Sequence, residues 1–179
     1  MSFFARLNQE TRQRNLCFLV IGGLAVNLHG CSRDTADLDL MVRREEREAW
    51  TALLAGLGYT LSHDGGPFLQ FDPPQAGAWP VDLMLVNEAT FSAIFVAAPE
   101  VDLYGERMRI PTVEHLIALK LHALKHSHLG RFLKDFMDVQ ELVRINGLDV
   151  RSDSFKTLAL KYGSVELYEK LVHACEHGG

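Results

Sequence analysis

Positive charge in excess is missing from this chain. Its 18 Lys and Arg are outnumbered by 23 Asp and Glu, a formal charge of −5. That excludes a protein that coats nucleic acid over its whole surface, although it leaves room for a local basic rim. Cysteine is scarce too: Cys17, Cys31 and Cys175 are odd in number and form no C-x-x-C pair. Neither a disulfide scaffold nor a structural zinc site is expected from them. No apolar run approaches the ~20 residues of a membrane helix. The opening stretch turns polar by Arg6, too early for a secretion leader. A soluble, cytoplasmic protein is the expectation. Internal repeats and low-complexity tracts are also lacking.

What is present is a chain of 179 residues with 47% hydrophobic content, enough for one domain of roughly 150 residues or for a compact core with a small helical appendage. Residues 2–14 read as an amphipathic helix with Phe3, Phe4 and Leu7 inward. The continuous apolar run of residues 17–21, ending in Gly22-Gly23, predicts a buried strand feeding a tight turn, and residues 24–29 a short helix stopped by Gly30. Strands follow around 38–42, 59–62, 68–71 and 81–86, with a helix over 44–57 that Gly58 closes. After residue 88 come a short helix, an extended pair turning at Gly105, and helices over 113–126, 131–144, 154–161 and 164–175.

The chemistry concentrates in Ala36-Asp37-Leu38-Asp39-Leu40-Met41-Val42. On a strand, residues i and i+2 leave the same face, so Asp37 and Asp39 are expected to project together. Two like charges ~4 Å apart repel by about 4 kcal/mol at an effective dielectric of ~20. A cation between them removes that cost, and hard carboxylate oxygens suit Mg²⁺, which completes its shell with water and phosphate oxygens. Thirteen residues separate Gly23 from Asp37, enough for a helix and a return turn that bring the glycines beside the acids. Glycines let backbone approach a phosphate closely, and a helix start offers free N–H groups. Asp82, on another predicted strand, supplies a third carboxylate. Three acids and a glycine turn are the parts of a two-metal nucleotidyl transfer. Later, Leu116, Lys120 and Leu124 share one helical stripe; Lys120 either snorkels to solvent or points inward, where it needs an anionic partner, phosphate or carboxylate.

Gly22-Gly23-Leu24-Ala25, His29-Gly30, Arg33, Thr35 and Asp37-Leu38-Asp39 together resemble the signature of the polymerase-β-like nucleotidyltransferase superfamily, in particular its small bacterial abortive-infection (AbiEii-like) members. Leu119-Lys120-Leu121-His122-Ala123-Leu124, followed by Lys134-Asp135 and Asp138, is similar to that family's helical motif, in which a lysine and an acid face the nucleotide. The resemblance covers residues 16–142. It implies an α+β fold, with a small mixed sheet flanked by helices and then a C-terminal helical bundle. Residues 1–110 would form the catalytic core, and 111–179 a helical region packed on it. It implies Mg²⁺ (or Mn²⁺) as cofactor and a nucleoside triphosphate as substrate. Asp37, Asp39 and Asp82 would hold metal. Gly22, Gly23, Arg33, Lys120 and Asp135 would face the nucleotide, with Lys120 counted among the catalytic groups. One departure is a histidine, His126 or His128, where the family carries an arginine.

The acceptor hydroxyl stays open at this level: a tRNA or other RNA end, a protein, or a small molecule. In the resembled family the gene often belongs to a toxin–antitoxin pair, which adds an antitoxin protein as partner. The rivals are an antibiotic nucleotidyltransferase of the aminoglycoside type, whose acceptor pocket would be acidic, and a non-catalytic relative that binds nucleotide or a partner. Smaller features have bland readings. Arg33 is as well suited to pair with Asp34 or Asp37 as to touch nucleotide. Arg43, Arg44 and Arg47 read as a solvated helix start or part of a rim for RNA phosphates. His115, His122 and His126 lie near one helical face but lack a placed third carboxylate or cysteine, so zinc is not expected there.

Overall fold

The computed structural model describes residues 2–126 and 129–177, the side chains of His126, Leu129 and Gly130 excepted. Two compact units emerge. The first comprises residues 1–25 and 34–112, the second residues 26–33 and 113–179.

The first unit is built on a five-stranded mixed sheet in the order β1-β2-β5-β4-β3, with β1 at Leu19–Val20, β2 at Leu38–Arg43, β3 at Thr60–Asp64, β4 at Phe68–Asp72 and β5 at Val81–Val86. β2 and β5 run parallel, and the other pairs are antiparallel. A parallel neighbour needs a crossover connection, and residues 44–80 supply it. They hold a 3-10 turn at Arg44–Glu46, helix α3 (Arg47–Gly56) and the β3–β4 hairpin. β2 and β5 carry apolar residues on both faces, interrupted on one face by Asp39 and Asp82, and Leu38, Leu40, Met41, Val42, Val81 and Leu83 are fully buried. β4 alternates instead: Leu69 and Phe71 are buried while Phe68, Gln70 and Asp72 stand in solvent. That alternation marks a sheet with one open face.

Helix α1 (Phe3–Gln13) buries Phe4 and Leu7, and the hydroxyl of Ser2 caps it by accepting from the Ala5 N–H at 3.2 Å. Trp50 of α3 and Phe91 of helix α4 (Glu88–Ala97) are completely buried. Burial of a phenylalanine such as Phe91 contributes roughly 1.5–3 kcal/mol against exposure. A separate ribbon, β6 (Glu100–Leu103) with β7 (Glu106–Arg109), turns through Tyr104 and Gly105, both at positive φ (52° and 83°). This is the backbone of a primed hairpin turn.

The second unit holds helices α5 (Val113–His126), α6 (Leu129–Ile145), α7 (Asp153–Tyr162) and α8 (Val165–His177). Residues 26–33 join it through Asn146, whose amide donates to the His29 carbonyl at 3.3 Å. Asn27 closes that segment by bonding both the N–H and the C=O of Arg33. Helix α2 (Gly22–Leu28) begins in the first unit and ends in the second.

The expected elements are all found, with three local differences. The helix expected over 44–57 opens as a 3-10 turn, Arg44–Glu46, before α3. Only Leu19 and Val20 of the 17–21 run pair as a strand. The helix expected over 24–29 starts two residues earlier, on the glycines themselves. These last two follow from the abrupt turn at Gly22, where φ is +61°. Among the described residues no helix is long and apolar enough to cross a membrane.

Candidate active site

In the first unit, β1 and β2 pair antiparallel, with Val20 opposite Leu40. The Ile21 N–H then bonds the Asp39 carbonyl at 2.9 Å. The next residue is Gly22, so the chain bends away from the sheet at the level of Asp39. A Cβ placed on Gly22 would lie 1.8 Å from Asp39 Oδ2 and 2.4 Å from its Cγ. The carboxylate occupies the space a side chain would need, and positive φ disfavours an L residue there as well. Glycine at this position is thus fixed twice over.

Asp39 and Asp82 are register partners on the parallel pair β2–β5. Adjacent strands lie ~4.8 Å apart, so the two half-buried carboxylates leave the same face of the sheet side by side. The row continues outward. Gln70 is the partner of Asp82, and its Nε2 donates to Asp82 Oδ2 at 3.1 Å. His63 is the partner of Gln70. A bulge at Ser62 shifts the β3 register between Leu61, opposite Phe71, and His63, opposite Gln70. Without that extra residue, His63 would share the face of Leu61; with it, the imidazole joins the Asp39–Asp82–Gln70 row. The Ser62 hydroxyl donates to the Gln70 carbonyl at 3.2 Å.

Asp37 lies one residue before β2 and is exposed. The structure therefore brings two of the three predicted acids into register, with the third at the strand's entrance. Among the described residues no three His, Cys, Asp or Glu side chains converge closely enough to hold an ion by themselves. Mg²⁺ does not require that: one or two protein carboxylates suffice when water and substrate phosphates complete the octahedron. The donor set of Asp39 and Asp82, all hard oxygen, fits such an ion.

Arg33, Lys120 and Asp135 lie in the second unit. Lys120 is 7% exposed, and its ammonium sits between Asp135 Oδ1 (2.9 Å) and Asp138 Oδ2 (2.6 Å), both carboxylates buried. Arg33 donates to Asp138 Oδ2 at 2.5 Å, and Arg131 approaches Asp135 Oδ2 at 3.5 Å. The inward lysine has found carboxylate partners, and both aspartates of the helical motif engage it. Arg33 pairs with Asp138 across 105 positions of sequence. His115 and His122 lie on α5; the His126 side chain and His128 are outside the described residues.

The basic helix start is also engaged in structure. Arg43 bonds Glu46 (3.2 Å) and Glu88 and lies over the Phe91 ring, 4.2 Å from its centroid; Arg47 pairs with Asp64. The Gly66 N–H first, and then the Arg47 guanidinium, hold the Asp64 carboxyl below its ordinary pKa.

No family model matches the chain, and neither does any curated protein. Solved structures do. The solution structure of the antibiotic-resistance factor ANT(2'')-Ia is 16% identical, with a TM-score of 0.64 over 97% of this chain and 95% of that one. The crystal structure of ANT(2'')-Ia with adenylyl-2''-tobramycin gives 18% identity and a TM-score of 0.65 over 88% and 93%. The lincomycin-bound lincosamide antibiotic adenylyltransferase LnuA gives 15% and 0.55 over 78% and 93%. At these identities the likeness establishes architecture: the chain has the nucleotidyltransferase fold.

Proposed function

We propose that this chain is a divalent-metal-dependent nucleotidyltransferase, moving an NMP from a nucleoside triphosphate to an acceptor hydroxyl and releasing pyrophosphate. The observation that carries the reading is the in-register pair Asp39–Asp82, with the Gly22 bend packed on the Asp39 carboxylate. Like charges directly opposite on a sheet destabilise it, and a site that binds a cation gains from what the fold loses. Gly22 and Gly23 leave backbone open to the triphosphate beside Asp39. Asp37 and Asp39 would hold the ion that carries the triphosphate, and Asp82 stands on the acceptor side. Bound there, Mg²⁺ or Mn²⁺ neutralises charge developing on the phosphoryl oxygens. The acceptor oxygen bonds to the α-phosphorus, the α–β bridging P–O bond breaks, and its electron pair leaves with pyrophosphate. The Asp82 carboxylate would take the hydroxyl proton. Arg33, Lys120 and Asp135 enter this proposal as the buried ion network of the helical unit.

For the acceptor, local charge favours a small neutral or cationic molecule over an RNA end. β3, β4 and β5 contain no Lys or Arg, and Asp82 is surrounded on its face by Asp39, Gln70, His63 and the exposed Asp72 of β4. Of the candidate phosphate rim of Arg43, Arg44 and Arg47, Arg43 and Arg47 are engaged by carboxylates, and Arg44 is exposed. A polynucleotide needs the opposite field. The test is incubation with each α-labelled NTP and Mg²⁺ against aminoglycosides, lincosamides, bulk tRNA and protein extract. Label on a small acceptor is expected. Label on tRNA or protein would overturn the acceptor assignment and favour the toxin reading. Nucleotide binding with no label anywhere would favour a non-catalytic binding protein.

A further inference from the structure

The reaction as proposed leaves one feature of the Asp82 neighbourhood unused. Gln70 lies on the open face of β4, where folding asks only for a residue compatible with solvent, as exposed Phe68 and Asp72 on either side illustrate. Its amide nonetheless reaches across to β5 and donates to Asp82 Oδ2 at 3.1 Å. The direction of that bond is fixed by chemistry: an ionised carboxylate only accepts, so the NH₂ end of the glutamine must face it.

The terminal torsion of an aspartate is soft, with broad wells in place of sharp rotamers. A strand fixes where the Asp82 Cβ sits but does not fix the plane of its carboxylate. A donor anchored on the neighbouring strand does, because Gln70 is itself locked in register on both sides, with Asp82 at one flank and His63 at the other. The Ser62 hydroxyl on the Gln70 carbonyl holds the bulged strand against it. The donor also sets a positive dipole end against Asp82, offsetting part of the repulsion from Asp39.

We infer that Gln70 is a positioning residue of Asp82, helping to set the carboxylate plane that meets the ion and the acceptor hydroxyl. The inference rests on the nucleotidyl-transfer reading of this site. Groups that orient metal-binding carboxylates are typically worth ~10–100-fold in metal affinity or activity.

Three variants test it: Gln70→Leu, which removes the donor at similar size, Gln70→Glu, which replaces the donor with a second carboxylate facing Asp82, and Asp82→Asn. Two readouts are taken, Mn²⁺ binding by the EPR signal of the free ion, and kcat and KM for NTP. Because Gln70 is solvent-exposed, Tm should stay at the wild-type value in the leucine variant. The expected result is a Mn²⁺ dissociation constant raised about tenfold and a kcat lowered ~10–100-fold, with KM for NTP within threefold of wild type. The glutamate variant should lose at least as much kcat as the leucine variant while keeping or gaining Mn²⁺ affinity. Wild-type kcat and Mn²⁺ affinity in Gln70→Leu would overturn the inference. Asp82→Asn separates the two levels. If it too binds Mn²⁺ and turns over as wild type, the site assignment itself falls. If it loses both while Gln70→Leu keeps both, only the role of Gln70 falls.

Discussion

Gly22 shows how a single residue couples backbone geometry to chemistry. A methyl group there would overlap the Asp39 carboxylate while the backbone sits at φ +61°. Forcing an L residue into that region costs ~1–2 kcal/mol, and Asp39 must move to make room. Gly22→Ala is therefore expected to lose stability by about that amount and nucleotidyl transfer by about 10²-fold, the usual consequence of displacing a reactive group by ~1 Å. Thermal melts read beside initial rates check it; full activity in the alanine variant would refute the close packing. Cys31 offers a second test at this scale. It is 7% exposed, and burial, with Glu141 and Asp138 nearby, pushes its thiol pKa up. The thiolate is the nucleophile, so Cys31 should resist iodoacetamide at pH 8 in the native protein and react on unfolding. Rapid native labelling, located by mass spectrometry, would contradict this.

Among the elements, α5 and α6 are tied by ions inside an apolar interface. Lys120 serves Asp135 and Asp138 at once, and Asp138 also takes Arg33. Removing the lysine leaves two carboxylates buried without it, which costs roughly 3–5 kcal/mol. Lys120→Ala should lower Tm by about 10 °C for a chain of this size. Arg131→Ala should barely change it, because that side chain is 71% exposed and such pairs contribute ~0–1 kcal/mol. Equal effects of the two changes would remove the distinction. The place of Lys120 on an apolar stripe is legible in sequence, since Leu116 and Leu124 flank it at helical spacing, whereas the choice between burial and snorkelling to solvent is made by the structure. Its partners are not legible either, because which carboxylates arrive opposite is decided by the packing of one helix on another. The same limit hides Arg33–Asp138. On the sheet, the outward alternation of Phe68, Gln70 and Asp72 is readable, but the register that sets Gln70 against Asp82 depends on strand pairing. The bulge that re-aims His63 leaves no mark in a stretch as polar as Leu61-Ser62-His63.

At the scale of the whole molecule, apolar runs, helical periodicity and glycine stops mark the strands and helices, and the short motif from Gly22 to Asp39 points to the architecture that the solved nucleotidyltransferases share. The sequence lists acids without saying which become neighbours. The parallel pairing of β2 with β5 makes neighbours of Asp39 and Asp82 and leaves Asp37 at the strand entrance. A site that places like charges side by side trades stability for binding, and this yields a test in which two properties move in opposite directions. Asp82→Asn relieves the repulsion and should raise Tm by about 2–4 °C, for a gain near 1 kcal/mol. The same change should lower transfer of α-labelled nucleotide by at least about 10²-fold. The decisive measurement is therefore the melting temperature and transfer rate of Asp82→Asn beside wild type. An equal or higher Tm with transfer lost is the predicted result, and transfer at the wild-type rate would contradict the account.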